Sequence, residues 1–263
     1  WCCGHGTRSG ERLRAVARTD EWPMSAAAVP PPPLSPSPPG QAPTAPSLLT
    51  APILPALLRF ALPNMVAMLA SALATVAETA YVGSFGVPSL AGMALVFPMV
   101  MLQMMLSGGA MGGGVAAAIS RALGAGAPER ANALAVHALW IGLAAGGASM
   151  LLMLVLGPAI YAGLGGRGEA LAQATAYSHV AFCGSIGVWL INTFASVLRG
   201  AGNMVVPSAT FLLVALAQVL IGGALGLGWG PLPRLGMPGV AAGQVIAFSA
   251  GAAYLFWYLR SGR

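Results

Sequence analysis

Lysine is absent from this chain of 263 residues, and acids are scarce: twelve arginines and six carboxylates leave 7% of the residues charged. A soluble domain of this length needs far more charge to cover its surface. Three cysteines, two of them adjacent at Cys2 and Cys3 and the third alone at Cys183, exclude a disulfide framework. No HExxH, phosphate-binding loop, nucleophile elbow or CxxC occurs, so the chain is not expected to be an enzyme or to carry an attached ATPase. What is there instead is apolar: 57% hydrophobic residues, mean hydropathy +0.79, gathered in runs of twenty or more. Such runs read as membrane spans. Barrel strands would alternate in polarity over about ten residues, and these runs do not, which leaves helices as the spanning element.

The first fifty residues differ. The stretch PPPPLSPSPPGQAPTAPS has too few apolar side chains to bury a core, so residues 1–50 are expected to be a disordered, Pro-rich cytoplasmic tail. The chain opens on Trp1, and a start at Met24, with residues 1–23 as translated upstream sequence, stays open. After residue 50 six hydrophobic spans follow, at about 54–83, 88–120, 130–157, 169–198, 204–228 and 238–259. Each is long enough to cross about 30 Å of hydrocarbon at ~1.5 Å per residue. Residues 51–263 are therefore expected to form one six-helix transmembrane lobe.

With the N-terminus inside, the cytoplasmic segments hold Arg8, Arg12, Arg14, Arg18, Arg59, Arg121, Arg130, Arg199, Arg260 and Arg263, and the outer loops hold only Arg167 and Arg234. This is a positive-inside bias, and it places the chain in the cytoplasmic cell membrane as a multi-pass protein with both termini inside. Arginines so scattered form no basic face, and no nucleic-acid partner is expected. The pairs Gly109 and Gly113, Gly142 and Gly146, and Gly222 and Gly226 have the spacing that lets helix backbones approach. Pro63 and Pro98 fall inside spans and each removes a backbone hydrogen bond, giving either a static bend or a hinge.

Glu78, in LASALATVAETAYVG, is the one acid within a hydrophobic span. An ionisable group there costs at least about 2.5 kcal/mol, so it is expected to face the bundle interior or a water-filled cavity, where it suits reversible protonation or cation binding. The alternative is a carboxylate that snorkels to the interface from a helix end about five residues away. Asn64, Ser71 and Thr75 lie on the same helical face and suggest a cavity wall, or else helix-to-helix hydrogen bonds. Gln103, Asn192, Thr193 and Gln218 are further cavity candidates, beside other intramembrane polar residues such as His137, Tyr177, His179 and Gln244. His179 and Cys183 share a face but lack further ligands, so no metal site is expected. Methionines, including Met99, Met101, Met104 and Met105, suit either an adaptable binding surface or ordinary packing.

Several segments then look familiar. ALPNMVAMLASALATVAETAYVGSFGVPSLAGMALVFPM resembles the first two helices of the multidrug and toxic compound extrusion (MATE) family. ISRALGAGAPERA, SVLRGAGNMVVP and LGMPGVAAGQVIA are similar to that family's segments between helices two and three, between helices four and five, and at the start of helix six. The resemblance covers residues 57–260. It implies an all-α fold of twelve helices in two lobes, of which this chain supplies one. The implied activity is secondary antiport of drugs or organic cations against protons or sodium, with no cofactor beyond that ion. It implies that Glu78 serves cation coupling, at a position where the family more often has Asp. Gln218 stands where the fifth helix often has Asn, Gly222 replaces a frequent Asn or Asp, and Asn203 replaces the loop Asp. The chain is expected to be the N-terminal lobe of a longer product, partnered by lipid, a small-molecule drug and a missing C-terminal lobe; a half-size transporter that pairs with itself is the alternative. A lipid-linked oligosaccharide flippase or polysaccharide exporter of the same superfamily is the rival function. It is disfavoured because no arginine lies deep in a span.

Overall fold

A computed structural model describes residues 53–229 and 233–261, all of whose regular structure is helical. The expectations for residues 1–50 lie outside the described residues. The helices are α1 (Ile53–Gly83), α2 (Val87–Met104), α3 (Gly112–Gly124), α4 (Pro128–Gly163), α5 (Gly168–Cys183), α6 (Ser185–Gly200), α7 (Val205–Leu227) and α8 (Met237–Arg260). A π-helical segment, Met105–Met111, joins α2 to α3 without a break. Five helical stretches are long and apolar enough to cross a membrane, from Ala61–Gly83 to Met237–Arg260. The sixth span is the pair α5 and α6, bent by 46° at Gly184. The six expected spans are present, then, with two irregularities that the apolar pattern did not reveal.

Local chemistry sets the boundaries. Proline occupies the first turn of α2, α4 and α8, where its missing N–H is an orphan anyway. Gly228 closes α7 in the left-handed conformation at φ 72°, which a side chain would strain. Asn203 opens α7: its Oδ1 accepts the Val206 N–H at 3.1 Å, and its amide donates to the Tyr258 hydroxyl at 3.3 Å on α8. Asn203 thus ties the start of α7 to α8.

Helix α6 is the hub. Its residues 191–198 are all buried, and it packs on α3, α4 and α8. α8 also packs on α7 and α5, α5 on α2, and α1 leans mainly on α7 with light contact to α2. One core cluster gathers Val82, Tyr161, Phe182 and Met237 toward one end of the bundle, and a second gathers Ile191, Phe194, Val214 and Leu255 toward the other. The outer surface stays apolar: Met65, Met68, Leu69, Leu73 and Val76 on α1, and Leu151, Leu152, Val155 and Leu156 on α4, are all exposed. Such a surface is a liability in water and an ordinary one in lipid.

Glycine decides how closely these helices approach. Gly222 and Gly226 on α7 face Gly239 and Gly243 on α8, and a methyl group added at Gly243 would overlap the Gly222 backbone. Gly142 and Gly146 on α4 meet Thr193 and the backbone at Ile186. The third expected pair does not pack. Gly109 and Gly113 have nothing near their Cβ positions, and it is Gly108 and Gly112 that receive Asn192 and Ser196 of α6. Both pairs have the same four-residue spacing, so spacing alone does not choose between the two registers.

Candidate functional site

Between the two core clusters lies a cavity of about 200 Å³, walled by α1, α2, α5, α7 and α8. Glu78 sits in it, 5% exposed, and accepts a hydrogen bond from Gln218 Nε2 to its Oε1 at 2.6 Å. α1 can bring Glu78 this close to α7 because Gly223 leaves room for the Tyr81 ring, which stands 3.0 Å from where a Cβ would be. On the α7 face bearing Gln218, Gly222 lets α8 approach in the same way. A Cβ there would already lie 3.3 Å from the Val240 carbonyl oxygen.

Four of the residues singled out in sequence line this cavity together: Glu78, Ser71, Thr75 and Gln218. Ser71 and Thr75 point their hydroxyls to their own helix, donating to Ala67 O at 3.0 Å and Ser71 O at 3.1 Å, so they line the wall with their donors already used. Glu78 is directed inward and does not reach out to the interface. Asn64 lies outside the cavity, its amide donating to Met68 Sδ at 3.7 Å. Gln103 is buried next door in a void of about 10 Å³ shared with Gln244, where its Oε1 accepts from Ser185 Oγ at 3.3 Å. Asn192 and Thr193 do not line the cavity either. Asn192 donates to Ser107 Oγ at 3.2 Å and Val188 O at 2.9 Å, and Thr193 to Trp189 O at 2.8 Å. Both serve the packing of α6 against the π segment and α4.

The apolar lining is aromatic and thioether, with Phe97, Phe211, Phe248, Met93, Met101 and Met104, together with the aliphatic Ala74, Val100, Val214 and Ala215. Met101 and Met104 belong to the set noted in sequence; Met99 is partly buried in the core and Met105 is exposed outside. Tyr177 and Gln244 complete the polar lining. They stood in sequence only as intramembrane polar groups, because α5 and α8 carry no other sign that these positions face Glu78. His179 and Cys183 are exposed and point away from it. The cavity therefore holds one carboxyl group, two amides, a phenol and two hydroxyls among apolar groups, with no arginine or histidine among the described residues of its wall.

In a helical membrane bundle, an acid buried in an aromatic and methionine-lined cavity marks a functional position. The family model MatE matches residues 63–222, more than half of the chain, and the chain belongs to that family of transporters. Among its relatives is a protein of Deinococcus radiodurans described as a probable multidrug resistance protein NorM, 31% identical over 235 residues, which cover 83% of this chain and 48% of the relative. A Shewanella oneidensis relative described as an FAD transporter is 24% identical over 76% of this chain and 44% of its own length. Of solved structures, a crystal structure of a MATE variant superimposes with a TM-score of 0.74 at 26% identity, covering 81% of this chain and 46% of that one. The chain thus spans about half the length of the relatives it matches.

Proposed function

We infer that this chain forms one lobe of a secondary antiporter that exports drugs or organic cations in exchange for protons or sodium, with Glu78 as the coupling group. The observation that carries the reading is the burial of Glu78 in a cavity lined mainly by apolar, aromatic and thioether side chains, with a few uncharged polar groups. A carboxylate among aromatic faces attracts a hydrophobic cation, and flexible methionines adapt to its shape. The same carboxylate takes a proton or sodium ion, so cargo and ion compete for one negative charge. Competition of this kind couples the two fluxes, because a ligand drives a conformational change only through differential affinity for the two states. A second lobe, supplied by a longer chain, completes the transport path, and the arginine distribution supports both termini in the cytoplasm of a cell whose inner membrane holds the protein.

The cavity's charge argues against anionic cargo. A flavin dinucleotide or a lipid-linked pyrophosphate would need cationic partners, and none of the described residues lining the cavity is cationic. The reading is tested by binding. A fluorescent hydrophobic cation bound to the two-lobed protein is expected to be displaced as proton or sodium concentration rises, and Glu78→Gln is expected to show weak binding that neither ion affects. Equal ion dependence in the wild type and Glu78→Gln would refute it.

A further inference from the structure

The turn between α3 and α4 carries two arginines that the cavity at Glu78 does not use. Arg121 lies in the last turn of α3 and Arg130 in the first turn of α4. They flank a separate cavity of about 270 Å³ whose inner wall is Ala118, Ala122 and Leu134. Neither guanidinium has an ion pair or hydrogen bond among the described residues. The contrast is with Arg199 and Arg234, which are laid over the rings of Phe211 and Phe85 at 5.5 and 5.9 Å. Glu129 is the nearest acid in sequence; it is exposed and does not line the cavity.

The backbone spacing of the two arginine positions is set by the turn. The turn is closed by Ala125 N–H to Arg121 O, Gly126 N–H to Leu123 O and Ala127 N–H to Ala122 O, each at 3.0 Å. Gly126 supplies the left-handed residue at φ 69°. Helix α4, at 36 residues, is about 54 Å long against a hydrocarbon core of about 30 Å. The charged residues of α4, Glu129 and Arg130, and its histidine, His137, lie in its first ten positions; exposed Trp140 follows, and 141–163 carries no charge. That order puts Trp140 at the interface and the uncharged length across the core, with Arg130 about 15 Å further along the helix on the arginine-rich side.

We propose that the cavity bounded by Arg121 and Arg130 is a binding site for the phosphate of an anionic phospholipid headgroup. Guanidinium forks match phosphate oxygens in pairs of hydrogen bonds, and the alanine and leucine wall takes the glycerol and first acyl carbons. The apolar wall selects a lipid over free phosphate. A basic pair held between helices at the arginine-rich end of the bundle is the arrangement expected to prefer an anionic lipid to a zwitterionic one.

The test titrates the full chain, in a non-ionic detergent, with phosphatidylglycerol or phosphatidylcholine of matched acyl chains, read by native mass spectrometry. The wild type is expected to prefer phosphatidylglycerol. Arg121→Gln and Arg130→Gln are each expected to weaken that binding by about 5-fold, and the pair together by roughly 25-fold. Arg121→Lys with Arg130→Lys keeps the charge but not the forks and is expected to bind between the wild type and the double Gln variant, which separates loss of the site from loss of the fold. Arg167→Gln, on the opposite end, is expected to leave it unchanged. Equal binding of the two lipids, an undiminished preference in the double Gln variant, or displacement of the lipid by an equal concentration of inorganic phosphate would overturn the proposal.

Discussion

A carboxyl group held at 5% exposure inside an apolar bundle is stable only if its hydrogen-bonding capacity is met, and Gln218 meets part of it at 2.6 Å. Gln218→Ala removes that donor and is expected to lower stability by about 1–3 kcal/mol, measured by denaturant or thermal unfolding in detergent. Combining it with Glu78→Leu is expected to recover much of that loss, since both polar partners then go together; additive losses would mean that the two side chains do not interact. Glu78→Asp draws the carboxyl back by about 1.5 Å, the length of one carbon–carbon bond, and is expected to keep ion-dependent cargo binding while weakening the contact to Gln218. Glu78 was legible in sequence because an acid in an apolar span has few places to go. Its partner was legible only as one of several amides, since a single sequence does not say which helix faces which. Asn192 and Thr193 show the limit: their mid-span position is equally suited to a cavity or to helix packing, and the choice depends on the close approach of Gly108 and Gly142, which sequence spacing leaves open.

At the scale of elements, the site exists because α7 is pinched between two neighbours. Gly223 admits Tyr81 from α1, and Gly222 with Gly226 admits α8. Gly243→Ala puts a methyl group into the Gly222 backbone and is expected to destabilise the bundle by about 1–3 kcal/mol. Gly113→Ala meets open space in this chain and is expected to be neutral or to stabilise α3 by about 0.5–1 kcal/mol, because alanine is the better helix former. Unfolding midpoints of the two variants compare them directly, and an equal loss in both would contradict the packing described. The six spans could be read from apolar run length, since bilayer thickness sets that length. The π segment and the 46° bend at Gly184 could not, because each replaces one helical hydrogen-bonding pattern by another without changing polarity. Gly184 is needed at the bend, where a Cβ would strike Val245 of α8 at 2.6 Å.

At the scale of the whole molecule, Arg121, Arg130, Arg199 and Arg260 sit at the end of the bundle where Ile119, Ala122, Ala131, Val197 and Leu259 pack together, and Arg167 and Arg234 belong to turns at the other end. Reporter fusions at Gly165 and Leu232 are expected to be external and one at Ala125 internal; a cytoplasmic signal at Gly165 would reverse the orientation. One lobe with an apolar outer surface has no second wall against which to alternate, so coupling must be measured in the two-lobed protein. The most direct measurement is ion-gradient-driven export of a hydrophobic cation from proteoliposomes by the wild type and by Glu78→Gln, a change that keeps size and removes titration. The expected result is export that follows the proton or sodium gradient in the wild type and is abolished in Glu78→Gln, with membrane insertion and folding intact. Gradient-driven export by Glu78→Gln at the wild-type rate would contradict the assignment of coupling to this carboxyl group.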